Sequence, residues 1–127
     1  MTFKKENVLQ TKSFAFAVKV VKLCIRIQKA EKEFVLTKQL MRSGTSVGAN
    51  IEESIGGRSD KDLFHRIVIS YKEARESHYW IRLLFEADLM EENVKNNLLA
   101  DVDELLRILG ASKRTLKQNM NKPKSNI

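Results

Sequence analysis

The only proline in this 127-residue chain is Pro123, so everything before it lacks the strongest helix breaker. Turn dipeptides are nearly absent and no Asn-Gly or Asp-Gly hairpin signal occurs, while Leu, Lys, Glu, Arg and Ala dominate. Long helices and an all-α fold follow. A hydrophobic content of 43% with 31% charged residues suits one globular domain with a real core.

Four helical segments are predicted. The first runs from about Val8 to Lys29, because Lys12, Lys19, Lys22, Arg26 and Lys29 fall on one narrow side at about 100° per residue. Apolar residues from Phe14 to Ile27 cover more of its circumference than one bundle core requires, so the surplus is assigned to another subunit. After a charged break at Glu31 to Glu33, a second helix is expected from Thr37, read as its N-cap, to Gly56-Gly57. Leu36 and Met41 are placed as a hydrophobic staple across that start. Ser59 with Asp62 opens the third helix in the manner of a capping box; its expected core stripe is Leu63, Ile67, Tyr71, Ala74, His78, Ile81 and Phe85. Asp88 with Glu91 signals a fourth start, with Val94, Leu98, Val102, Leu105, Leu109 and Leu116 inward. Short connections between long consecutive helices give an up-down-up-down antiparallel four-helix bundle over residues 1–118, followed by a polar tail, 119–127.

Within the second helix, Gln39, Ser43, Ser46, Asn50 and Glu53 alternate four and three residues apart and share one side. Small hydroxyl and amide residues lower helix propensity, so solubility does not explain them. Gly44 and Gly48 each cost about 1 kcal/mol relative to Ala in a helix interior, yet let another backbone approach. The seam is therefore read as structural, bonded to Ser70, Ser77 or His78 of the neighbouring helix.

Catalytic and metal chemistry find little support. A di-iron bundle needs Glu-x-x-His pairs on two helices and the chain has none. His78 is read as a buried histidine bonded to a neighbouring Ser or Asn, and the lone Cys24 as a buried structural thiol. Helix-interior serines lack an exposed turn and adjacent base, and no phosphate- or dinucleotide-binding glycine loop follows a strand. No enzyme activity, cofactor or metal is expected. No apolar run is long enough to span a bilayer and MTFKKENVLQ lacks a secretory pattern, so the expected location is the cytoplasm, with no membrane partner. A net charge of +7 and a pI near 9.6 favour an anionic partner, nucleic acid first.

The pattern Gln39-x-x-Arg42-Ser43-x-x-Ser46-x-x-x-Asn50-Ile51-x-Glu53, with Phe64 and the run from Lys72 to Leu84, resembles the bacterial four-helix-bundle proteins encoded in intervening sequences of the large-subunit ribosomal RNA gene. Related to these are the accessory variability determinants of diversity-generating retroelements. This chain departs from the pattern at EKEF, where relatives often carry a proline, and at EESIGGR in place of a Glu-Gly-Arg ending. The resemblance implies a bundle that assembles as a homopentamer. For the retroelement branch it also implies association with RNA or DNA and contact with a reverse transcriptase; for the intervening-sequence branch it implies no established activity. The site expected to bind nucleic acid is the single-sign stripe Lys12, Lys19, Lys22, Arg26 and Lys29, with Lys113, Arg114 and Lys117 as the next candidate. The alternative function is a protein-interaction scaffold without nucleic-acid contact.

Overall fold

The computed structural model describes residues 3–56 and 59–122. They form four α-helices, α1 (Phe3–Glu31), α2 (Leu36–Ile55), α3 (Asp60–Glu86) and α4 (Glu92–Met120). Each helix packs on its sequence neighbours and α4 closes back onto α1, and among the described residues the diagonal pairs show no close backbone approach. Gln10 on α1 reaches Glu52 near the end of α2, whereas Gln28 reaches Thr37 near its start, so the two helices are antiparallel. The core is aliphatic apart from Phe16: Leu9, Phe16, Val20, Leu40, Val47, Ile51, Ile67, Ile81, Leu84, Leu105, Leu109 and Leu116 are essentially inaccessible to solvent.

Helix α2 sits between α1 and α3, and small residues line both contacts. Toward α1, a Cβ added to Gly44 would lie 3.0 Å from Val20 Cγ1, and one added to Gly48 would lie 3.3 Å from Ser13 Oγ. Toward α3, the buried Ser43 and Ser77 hydroxyls are 2.9 Å apart, and Ser70 Oγ donates to the Val47 carbonyl at 2.9 Å. These short side chains satisfy buried polar groups while holding the helices close. By contrast, α1 touches α4 least of all the neighbouring pairs.

Helix ends depart from the sequence reading in two places. Thr37 is not the N-cap of α2: the helix begins at Leu36, and Glu33 serves its first turn. The Glu33 carboxylate accepts from the N–H groups of Val35, Leu36 and Thr37 at 3.0, 2.7 and 2.9 Å, and so satisfies donors that no helical carbonyl reaches. Thr37 is buried, donating to the Glu33 carbonyl and accepting from Gln28 Nε2. Asp88, expected to start α4, instead terminates α3. With φ of 62°, it takes the left-handed position of a Schellman turn, with Leu89 N–H on Leu84 O and Asp88 N–H on Phe85 O. Ser59 does cap α3, accepting from Asp62 N–H at 3.2 Å. Gly56 is the C-cap of α2, while Gly57 lies outside the described residues. Of the polar tail, Asn119 and Met120 remain helical and residues 123–127 lie outside the described residues.

The stripe read for α3 is also shifted. Tyr71, His78 and Phe85 are only partly buried; Ser70, Ser77 and Leu84 take the interior instead. The three larger side chains lie on the flank facing α4, where Lys113 sits 4.3 Å over the Tyr71 ring and Lys95 4.1 Å over the Phe85 ring. Between them His78 Nε2 lies 3.4 Å from Asp103 Oδ1. His78 is thus no buried core histidine; its other ring nitrogen accepts from Arg82 Nε at 3.0 Å.

The glycine contacts give a direct test. Gly44→Ala gains none of the ~1 kcal/mol that Ala brings to an open helix, and Gly48→Leu destabilises by about 1–3 kcal/mol through overpacking. Urea midpoints of the two variants check both. The Glu33 cap gives a second. Partial burial pushes its carboxyl up, but the N–H groups of Leu36 and Thr37, the Thr37 hydroxyl and the Val35 N–H outweigh this and hold it below its ordinary 4.5. A depressed folded-state value means the cap contributes fully above that ordinary value and is lost as pH falls through the folded one. Glu33→Ala therefore costs about 1 kcal/mol at pH 7, and its deficit against the parent shrinks as pH falls below the ordinary 4.5 in paired urea titrations.

Candidate nucleic-acid interface on α1

Three faces of α1 carry different chemistry. The first is the core face of Leu9, Ser13, Phe16, Val20, Leu23, Cys24 and Ile27. The second is an outward apolar row in which Phe14 is 68%, Val18 38% and Ile25 44% exposed, with Val21 between them partly covered. The third carries the basic residues, all exposed, and it borders α4.

The basic face divides in two across that border. Lys12 pairs with Glu104 at 3.0 Å; Lys19 pairs with Asp101 at 2.7 Å and also donates to Asn97 Oδ1 at 3.0 Å. Both pairs are solvent-exposed and contribute little stability, yet each places a carboxylate beside a cation read as free from α1 alone. Lys22, Arg26 and Lys29 have no carboxylate partner among the described residues. Where α1 and α4 stand apart, Lys19, Lys22 and Arg26 border a hollow of about 440 Å³, with Leu23, Val94 and Leu98 beneath it. The alternative candidates Arg114 and Lys117 line a separate hollow at the end of α4 with Asn121 and Lys122, and Lys113 is turned onto Tyr71.

The seam residues of α2 lie on the opposite side of the bundle. Arg42 bridges to both Glu73 and Glu76 on α3, receives additional support from Gln39 Oε1, and shares Glu76 with the Trp80 indole N–H. Ser43 joins Ser77, and Asn50 donates to the Ser46 carbonyl while accepting from Arg66. Glu53 is exposed. Ser43 and Asn50 thus reach α3 through Ser77 and Arg66, whereas His78 takes no part. The Arg42 bridge was not read from the sequence, because it joins residues more than thirty positions apart. The signal lay in Arg42, a long cation flanking a buried seam.

The side chains otherwise suited to chemistry are dispersed. No group of three or more His, Cys, Asp or Glu side chains converges to hold a metal among the described residues. Burial, with the Glu33 carboxylate adding to it, pushes the Cys24 thiol up to about 12, so almost no thiolate exists at neutral pH. Among the described residues, no helix is long and apolar enough to cross a membrane.

An all-α, antiparallel four-helix bundle with an exposed basic face on its first helix is the class this geometry defines. The chain belongs to the 23S rRNA-intervening sequence protein family, whose model matches residues 5–111. It is similar to a crystal structure of a protein with unknown function from the S23 ribosomal protein family of Bacteroides thetaiotaomicron. The two are 36% identical with a TM-score of 0.84, over 87% of this chain and 98% of the other. No significant match exists among curated proteins.

Proposed function

We propose that the protein is a non-enzymatic, homo-oligomeric bundle that binds nucleic acid through α1. The observation that carries the reading is the set of three exposed cations, Lys22, Arg26 and Lys29, unmatched by carboxylates among the described residues in a chain of net charge +7. Phosphate contact needs point charges free to displace counterions, and these three supply such charges. Lys12 and Lys19 enter that role only by exchanging Glu104 and Asp101 for phosphate, so the effective site is shorter than the stripe of five.

Assembly rests on the outward row of Phe14, Val18, Val21 and Ile25, whose alternating spacing of four and three is that of a helix-packing seam. A closed ring covers this row equally in every subunit, and a subunit number of five is what the family resemblance implies. The same row favours the second reading, a scaffold that binds other proteins through α1 and carries its charge for solubility.

Two outcomes are expected. Multi-angle light scattering at micromolar concentration returns an oligomer mass, five times the 14.6 kDa chain, and Phe14→Glu with Ile25→Glu reduces it to that of the monomer. A monomeric parent protein overturns the ring. Binding to structured RNA weakens steeply with salt, with a log-log slope of roughly −0.7 to −0.9 per neutralised phosphate. Lys22→Glu with Arg26→Glu flattens that slope at unchanged helix content by circular dichroism, whereas no binding by the parent at low salt selects the scaffold.

A further inference from the structure

The hollow between α1 and α4 has a chemical asymmetry that phosphate binding alone does not use. Two asparagines, Asn93 and Asn97, stand one turn apart on its α4 side. Lysine ammonium and backbone N–H only donate, so the contacts these residues make fix which end of each amide is engaged. Asn97 Oδ1 accepts from Lys19 Nζ at 3.0 Å, and Asn93 Oδ1 accepts from Val94 N–H at 2.9 Å. The nearby Asp101 carboxylate is held by Lys19 as well. What remains without a partner among the described residues is a set of donors: Nδ2 of Asn93, Nδ2 of Asn97, Lys22 Nζ and the Arg26 guanidinium. They surround a floor formed by Leu23, Val94 and Leu98, in a volume at the lower end of the range for small-ligand sites, ~300–1,000 Å³.

A fitting occupant therefore has acceptors around its edge, negative charge on the α1 side and an apolar face toward the floor. An unpaired nucleotide meets all three requirements; a base paired inside a duplex offers neither its face nor its pairing edge. Resting on the proposed nucleic-acid function, we infer that this hollow holds one unpaired nucleotide of a single strand. The base lies over Leu23, Val94 and Leu98, its carbonyl or ring-nitrogen acceptors take the Asn93 and Asn97 amino groups, and the flanking phosphates meet Lys22 and Arg26. An acidic peptide answers the donors but leaves the apolar floor uncovered. Toward the bundle end, Glu31, Asp88 and Glu91 line an adjoining hollow that shares Leu23, Arg26 and Val94, and their charge excludes the strand from it.

Fluorescence anisotropy with a labelled single-stranded RNA 12-mer and the same strand carrying abasic sites tests this, since both have the same phosphates. The parent protein is expected to bind the intact strand about tenfold more tightly, the worth of roughly two hydrogen bonds. Asn93→Ala with Asn97→Ala cuts that preference to the part the apolar floor supplies, leaving abasic-strand affinity, salt slope and helix content unchanged. Equal parent affinity for the two strands overturns the inference while leaving charge-based nucleic-acid binding standing. Binding of neither strand at low salt overturns both. Displacement of the intact strand by poly-glutamate, at the charge concentration at which abasic RNA displaces it, would reassign the hollow to an acidic protein segment.

Discussion

The close approach of α2 to its two neighbours organises the rest of the bundle. Gly44 and Gly48 let Val20 and Ser13 of α1 rest against the α2 backbone, and the Ser43–Ser77 and Ser70–Val47 hydrogen bonds join α2 to α3 with single oxygens. Glycine and serine are poor helix formers in isolation. Their cost is offset by the tight packing of Val20, Val47, Ile51, Ile67 and Ala74 around them, which larger residues on α2 would prop apart. Buried hydroxyls that each find an acceptor also specify one axial register, because a slip of one turn would leave them unsatisfied.

The fourth helix packs closely on α3 but only lightly on α1. Against α3 it sets the buried Gly110 beside Tyr71, with two lysines lying over aromatic rings on the flank, and along α1 it carries exposed ion pairs. Long charged side chains line the α1–α4 border, where glycines line the α1–α2 contact. The hollow beneath Lys22 and Arg26 therefore has a structural origin: it opens along the bundle edge that the small-residue seam does not reach. That same edge carries the unpaired cations, so the loosest contact of the fold and its strongest candidate interface coincide.

Membership of the 23S rRNA-intervening sequence family and the likeness to a bundle of unknown function establish kinship and fold. Function must be argued from surfaces, because one helical scaffold serves many roles. Two surfaces of α1 stand out here, an apolar row from Phe14 to Ile25 and the basic face beside it. Adjacent on one helix, they would couple the proposed assembly to the proposed binding: a ring closed through the first would repeat the second in every subunit and multiply its potential.

Periodicity alone determined the four helices, the absence of strands and the position of the polar seam, since these depend on local spacing and on the lack of proline before Pro123. The need for close contact at Gly44 and Gly48 was legible for the same reason: nothing local rewards a glycine inside a helix. The rotation of α3 was not. Helical spacing runs equally well from Ile67 through Tyr71, His78 and Phe85 or through Ser70, Ser77 and Leu84, whereas the narrow gap beside α2 admits the serines and leaves the larger rings beside α4. Nor could sequence spacing show that Glu104 and Asp101 stand opposite Lys12 and Lys19, because that pairing joins residues more than eighty positions apart. Local periodicity sets the charge on each helix face; which faces meet, and so which charges stay free, depends on long-range packing.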